Sequence, residues 1–340
     1  MGLGKIFKQP FYNARTMKVL FISSGNINGG ISPIIKNQSE SLRNVGLTIE
    51  HFTINGKGLI SYLRHIYLLK KYLQFNKYDL YHAHYGLSGM VAFLAKRNGK
   101  LVVSFMGDDL IGSIGPRNKY KLSSKLISKT NIILSEYFYD FSIVKSDNLL
   151  KILASSKNRE KVPNGVDIKK FCYVDKMTAR KKVGFTENKK YVLFTSDPTR
   201  YEKNYDLALK SVKLLADKNI ELVVTKNVNV DYMVYYYNAS DCLILTSFHE
   251  GSPNVIKEAM ACSRPIVSTN VGDIKWVFGK TDGCFLTSFD PYDVAVKLER
   301  ALVFEEKAGK TEGRERIISI GLDSYSIAKK IIKIYQTVIA

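Results

Sequence analysis

Two glutamates eight positions apart, Glu250 and Glu258, stand in the stretch Leu243-Ile-Leu-Thr-Ser-Phe-His-Glu250-Gly-Ser-Pro-Asn-Val-Ile-Lys-Glu258. The apolar run ahead of them reads as a strand ending near Thr246. Ser252 reads as the N-cap of a following helix, with Pro253 at its first position. The amides near Asn254, Val255 and Ile256 are then unpaired, and such a helix end holds phosphate through its N–H donors and its dipole. Glu250 falls in the loop before the helix, beside Gly251, and Glu258 lies about one and a half turns inside it. The two carboxylates bracket the anion site, each placed to accept from hydroxyls on opposite sides of a phosphate. That arrangement suits a nucleotide sugar, with a ribose at one end and a hexose at the other.

The elements that must hold such a site are legible as alternating runs. Lys18–Ser23 is a short apolar run, followed by a glycine loop containing Gly29 and Gly30 and then by a helical period over Pro33–Val45. Strand, glycine loop, helix is the opening of a βαβ unit. Further apolar runs at Thr48–Thr53, Leu80–His84, Leu101–Phe105, Ile132–Ser135 and Phe141–Val144 read as strands, with helical patterns between most of them. The turn-rich segment Val162-Pro-Asn-Gly-Val-Asp167 interrupts the series. A second begins, at Tyr191–Thr195, Glu221–Thr225, Cys242–Thr246, Pro265–Ser268 and Gly283–Leu286. Two consecutive doubly wound α/β domains follow, with ligands expected beyond the carboxyl ends of the strands, in the cleft between them.

Composition narrows the class. The chain has 340 residues, enough for about two domains. Its apolar content of 45% excludes disorder. No uncharged stretch provides the roughly 20 apolar residues of a spanning helix. Residues 1–16 lack a secretory core and read as a basic appendage before an ordinary domain start at Met17. The four cysteines fit a reduced, cytoplasmic protein. The net charge is +20, and residues 1–161 carry most of it, with 24 Lys and Arg against 9 Asp and Glu. One basic cluster, with Arg64, Lys70 and Lys71, lies on an amphipathic helix over Gly58–Phe75; another holds Arg117, Lys119 and Lys121. An anionic acceptor or an anionic membrane surface is the expected partner of this half. Nucleic acid is not, because no nucleic-acid motif is present and the cations sit beside apolar residues.

Glu250 and Glu258 form an E-x7-E element, continued by Glu-Ala-Met-Ala-Cys and Arg264-Pro-Ile-Val267, that resembles glycosyltransferase family 4, the retaining group 1 glycosyltransferases of GT-B fold. The Gly29-Gly30 loop, the segment 162–167 and Ser196–Lys203 are further matches. The resemblance implies an acceptor-binding domain over 17–163, a donor-binding domain over 164–323 and a C-terminal helix over 324–340 that crosses back to the first domain. It implies transfer of a sugar from a nucleoside diphosphate sugar, with a UDP-sugar the expected donor, to a glycan or lipid-linked acceptor in cell-envelope polysaccharide synthesis. Glu258 would hold the ribose and Glu250 the donor sugar, while Lys203 and Arg200 neutralise the departing diphosphate. Gly29 and Gly30 would let backbone approach the phosphates.

The first half departs from the family at one informative place. A loop resembling T-x-H-G-x-D often carries a His there; here it reads Ser104-Phe-Met106-Gly-Asp-Asp109. Methionine moves no proton, so Asp108, Asp109 and His84, expected at strand ends facing the cleft, are the candidates, or the reaction runs with little help from a base. No metal and no other cofactor is expected. Trp276 and Ser263 stand where the family commonly has Glu and Gly. An epimerase of similar fold, a basic nucleic-acid or membrane-binding protein and an inactive partner subunit are the competing readings.

Overall fold

The computed structural model describes residues 17–26, 30–56, 58–96, 98–112, 122–155 and 157–340. Residues 1–16, Gly29, Arg117, Lys119 and Lys121 lie outside them. The first half runs β1 (Lys18–Ser24), α1 (Pro33–Arg43), β2 (Thr48–Ile54), α2 (Leu59–Phe75), β3 (Leu80–His84), α3 (Gly86–Ala95), β4 (Lys100–Ser104), α4 (Asp108–Ile111), α5 (Leu122–Tyr137), β5 (Phe141–Val144), α6 (Asp147–Ile152) and β6 (Arg159–Lys161). The second runs α7 (Lys176–Val183), β7 (Lys190–Phe194), α8 (Tyr205–Lys213), β8 (Ile220–Val224), α9 (Met233–Ala239), β9 (Cys242–Leu245), α10 (Asn254–Ala261), β10 (Ile266–Thr269), α11 (Ile274–Phe278), β11 (Cys284–Thr287), α12 (Pro291–Ala308), α13 (Gly313–Ser319) and α14 (Ser324–Ile339). The strands form two parallel sheets, ordered β2-β1-β3-β4-β5-β6 and β11-β10-β9-β7-β8.

Burial on both faces explains the unbroken apolar runs. Along β1, Val19 and Phe21 pack into one core with Ile35 and Leu42 of α1 and Ile327 and Ile331 of α14. Leu20 and Ile22 point the other way, into a core with Leu69 and Leu73 of α2 and Val91 and Ala92 of α3. The last helix begins where Asp323 accepts from the Ser326 amide at 2.9 Å. It lies against α1 of the first domain.

Ile132–Ser135 is not a strand but the C-terminal part of α5. The buried face of that helix is polar: Ser128, Asn131 and Ser135 point inward. Asn131 donates to the Asp109 carbonyl and Ser135 pairs with Ser142. Hydroxyls and an amide thus occupy the positions where apolar residues normally mark a helical period, while Ile133 is exposed. The edge strand β6 was hidden for a related reason, being charged along Arg159-Glu-Lys161. Ser263, at the turn after α10, has φ of 57°, a left-handed conformation that glycine adopts without strain.

The chain crosses between domains twice, and the two crossings are joined. The Val166 amide donates to the Leu322 carbonyl, and the Ser324 amide to the Val166 carbonyl, each at 2.9 Å. A Cβ on Gly165 would stand 2.8 Å from the Ser324 Cα, so only glycine allows this approach. Buried lysines from both halves hold the same segment. Lys145 Nζ donates to the Val162 carbonyl at 3.2 Å, and Lys257 Nζ to the Asn164 carbonyl at 2.8 Å.

Candidate functional site

The carboxyl ends of β7, β9 and β10 meet above the second sheet. Thr246, just past β9, donates to the Lys203 and Asn204 carbonyls at 3.1 and 2.9 Å. Thr269 donates to the Ser247 carbonyl at 2.8 Å. These bonds bring the loop after β7, which ends in a 3-10 turn at Tyr201–Lys203, against the loop carrying Glu250. There Lys203 Nζ donates to Glu250 Oε1 at 2.6 Å, and Ser247 Oγ donates to the same oxygen at 2.7 Å. Arg200 reaches the same opening, but its Nε donates to Glu202 at 2.7 Å. Lys203 is therefore the cation nearest Glu250, and Arg200 stands outward, paired with an acid of its own loop.

The helix start differs from expectation by one residue. Pro253 is the N-cap of α10, and Asn254 is its first residue. Ser252 does not cap, because its Oγ accepts from Lys257 Nζ at 3.0 Å. No side chain caps the helix, which leaves its first amides without a side-chain acceptor. Asn254 lines two openings, one of about 390 Å³ with Lys203, Glu250 and Val255, the other of about 540 Å³ with Glu258, Gly165 and Lys170. Its Oδ1 is buried with no hydrogen-bond partner, an unsatisfied acceptor between the two. Glu250 and Glu258 thus border separate cavities that share the start of α10.

Glu258 Oε2 accepts from Tyr237 Oη at 2.7 Å. Burial pushes its carboxyl up, opposed by that bond and by Lys257. Gly251 faces the other domain: a Cβ there would sit 3.7 Å from the Met106 carbonyl oxygen. Gly272, with φ of 60°, packs so tightly on Gly251 that a Cβ would fall 2.4 Å from its carbonyl oxygen.

Across the cleft, the three first-domain candidates separate. Asp108 opens α4, and burial raises its carboxyl; Glu202 and Glu250 add to the shift, while Arg200 and Lys203 oppose it. Those four neighbours belong to the second domain, so Asp108 faces the site. Asp109 instead closes its own loop, accepting from the Met106, Gly107 and Gly86 amides at 3.0, 2.8 and 3.0 Å. Burial pushes it up to about 6 against those bonds. His84 does not face the open cleft. It is 1% exposed, stacked on His82 at 4.3 Å and packed against Phe21, with neither ring nitrogen bonded. His82 bonds Tyr335 of α14 at 2.5 Å and Ser104 at 2.8 Å. Gly30 has φ of 87° and open space above its Cα, beside Ile31, which lines the larger cavity. Arg64, Lys70 and Lys71 are exposed on α2, away from these openings. Among the described residues no three His, Cys, Asp or Glu side chains gather as a metal site.

Sequence reasoning assigned no role to Tyr237, Ser247 or Asn164, although Asn164 lies in the segment 162–167 that the resemblance marked. They reach the site through the sheet order and the joined crossings.

Two parallel α/β domains facing one cleft have the GT-B architecture. A sucrose-phosphate synthase from Thermosynechococcus elongatus superposes with a TM-score of 0.79 at 17% identity, over 94% of this chain and 98% of that one. HepE of Anabaena, solved in complex with UDP-glucose, superposes with a TM-score of 0.68 at 16% identity, over 94% and 100%. In sequence, a D-inositol 3-phosphate glycosyltransferase of Geodermatophilus obscurus is 22% identical over 282 residues, 67% of this chain and 60% of that relative's length. The match thus leaves about two fifths of that curated relative unmatched. The model described as "Glycosyl transferase 4-like" matches residues 31–136, and the one described as "Glycosyl transferases group 1" matches 222–303. The chain thus carries a glycosyltransferase 4-like domain in its first half and a group 1 glycosyltransferase domain in its second.

Proposed function

We propose that the protein transfers a sugar from a nucleoside diphosphate sugar to a glycan or lipid-linked acceptor in cell-envelope polysaccharide synthesis, with retention at the anomeric carbon and without a metal. The observation that carries this reading is the division of the cleft by the start of α10. Glu258 borders one cavity, Glu250 with Lys203 borders the other, and uncapped amides lie between. A diphosphate across those amides would place its ribose against Glu258 and its sugar against Glu250. A UDP-sugar is the favoured donor, in keeping with the UDP-glucose bound by HepE.

As the bond between the anomeric carbon and the phosphate oxygen lengthens, negative charge grows on the leaving diphosphate. Lys203 and the α10 amides stabilise that charge more than they stabilise the bound donor, which lowers the barrier. The acceptor hydroxyl then bonds to the anomeric carbon from the face the diphosphate leaves, and its proton passes to the departing phosphate oxygen. Such a step requires no His in the Met106 position. Asp108, its carboxyl raised, faces the second-domain loops as the first-domain group best placed to hold the acceptor hydroxyl.

The test is proton NMR of the protein incubated with UDP-glucose, UDP-galactose and a membrane lipid extract, with and without EDTA. We expect an α-linked glycolipid, formed equally in both. A β-linked product would overturn retention, and activity lost in EDTA and restored by Mg²⁺ would overturn metal independence. A nucleotide sugar epimer accumulating without acceptor would move the chain to the epimerase reading.

A further inference from the structure

Two helices of the first domain turn to solvent a surface that water alone does not explain. On α2 the outward stripe carries Ile60, 84% exposed, and Phe75, 82% exposed, with Leu63 and Tyr67 between them. Arg64, Lys70 and Lys71 share that stripe, at helical spacing. On α5 the outward residues are Leu122, 84% exposed, Leu126, Ile133 and Tyr137, in line with Lys125 and Lys129. Both helices pack against α3, which lies between them on the same face of the first sheet and adds exposed Leu94. The stripes therefore belong to one outer surface.

Charge sets this surface apart. Neither α2 nor α3 contains an Asp or Glu, and α5 contains only Glu136. An ordinary solvated helix of this chain looks different: on α12 the outward residues include Glu299 and Glu306 as well as Arg300 and Lys307. A groove of about 470 Å³ opens between α2 and α3, lined by Tyr67, Lys70, Lys71, Gln74 and Lys96. Exposed leucines and isoleucines at this density find no apolar partner on a hydrated phosphate backbone. A lipid interface takes them into its acyl boundary while lysines reach its phosphates. A contiguous apolar patch rimmed by charge marks an interaction site, and the charge here is predominantly positive, with Glu136 and the Asp140 that pairs with Lys96 as its acids.

We propose that the α2–α3–α5 face docks on an anionic lipid bilayer, with Lys70 and Lys71 at the groove receiving lipid phosphate. This deepens the proposed function by naming the surface that brings the protein to a lipid-linked acceptor; the docking itself does not require the transfer reaction.

The test is flotation of the full chain with phosphatidylcholine vesicles and with mixed phosphatidylcholine–phosphatidylglycerol vesicles, at low and high salt. Two double variants accompany it, Lys70→Glu with Lys71→Glu, and Leu126→Ser with Ile133→Ser; all substituted side chains are exposed, and a cooperative thermal unfolding transition followed by circular dichroism confirms that each variant is folded. We expect binding to the mixed vesicles only, weakened by salt, and reduced about tenfold or more by the charge reversal. The serine variant should also bind more weakly. No flotation of the wild type at low salt, or equal flotation of wild type and charge reversal, overturns the proposal. So does competition by a single-stranded RNA with the serine variant unaffected, which would assign the cations to nucleic acid. Vesicle binding without any response to UDP-sugars would leave this docking standing and sink the transferase reading instead.

Discussion

At the scale of single residues, the account rests on which charges the fold leaves for a ligand. Glu258 is held by Tyr237 in a partly buried place that raises its carboxyl, at the border of the larger cavity. Replacing Glu258 with Ala should cost about 1.5–3 kcal/mol of donor affinity, roughly ten- to hundredfold in Kd; isothermal titration with the best-binding nucleotide sugar checks it, and an unchanged Kd removes the ribose role. A second residue is testable by pH. Burial takes the amine of Lys145 down to about 7 from an ordinary 10.5, with Lys257 pushing the same way and Asp109 opposing. Between those values the unfolded chain binds a proton that the folded one does not, so this group makes stability rise with pH from about 7 to 10. Lys145→Met should abolish that part of the rise, on the order of 2 kcal/mol, in urea midpoints measured at pH 7 and pH 9.5; parallel pH curves for the two proteins would refute it. The pair Glu250 and Glu258 was legible because one strand end and one helix carry both. Asp108 and Asp109 were not separable, since adjacent identical side chains differ only in which way the α4 turn aims them. His84 sits on a strand whose every residue is buried, which alternation alone cannot reveal.

At the scale of elements, the site depends on joints as much as on helices. Gly165 lets the two interdomain crossings touch, and Gly165→Ala would force a methyl to 2.8 Å from the Ser324 Cα. Overpacking of this kind costs about 1–3 kcal/mol. The melting temperature should fall and donor affinity should fall with it, because the Asn164 carbonyl that holds Lys257 moves with the crossing; an unaltered melting temperature would show that the crossings have slack. Strands with both faces covered announced themselves as apolar runs, and most of their bounds were readable within a residue or two. α5 was not, because its fully buried positions are Ser128, Asn131 and Ser135, while Leu122, Leu126, Ile133 and Tyr137 face outward. That reversal hid the helix, and it is the same feature that gives the first domain its apolar, cationic surface.

At the scale of the whole molecule, the charge of +20 resolves into two uses. The second domain holds Lys203 beside Glu250, while residues 1–161 carry most of the excess, part of it on the exposed faces of α2 and α5. The most direct measurement is thermal unfolding of the full chain and of its Glu258→Ala variant in a panel of UDP-, GDP- and ADP-sugars. A ligand that binds only the folded protein at 100 times its Kd adds about 2.7 kcal/mol. The account predicts that one nucleotide class, UDP-sugars foremost, raises the melting temperature of the wild type by several degrees and that of Glu258→Ala much less; no shift with any nucleotide sugar, or equal shifts in both proteins, would contradict it.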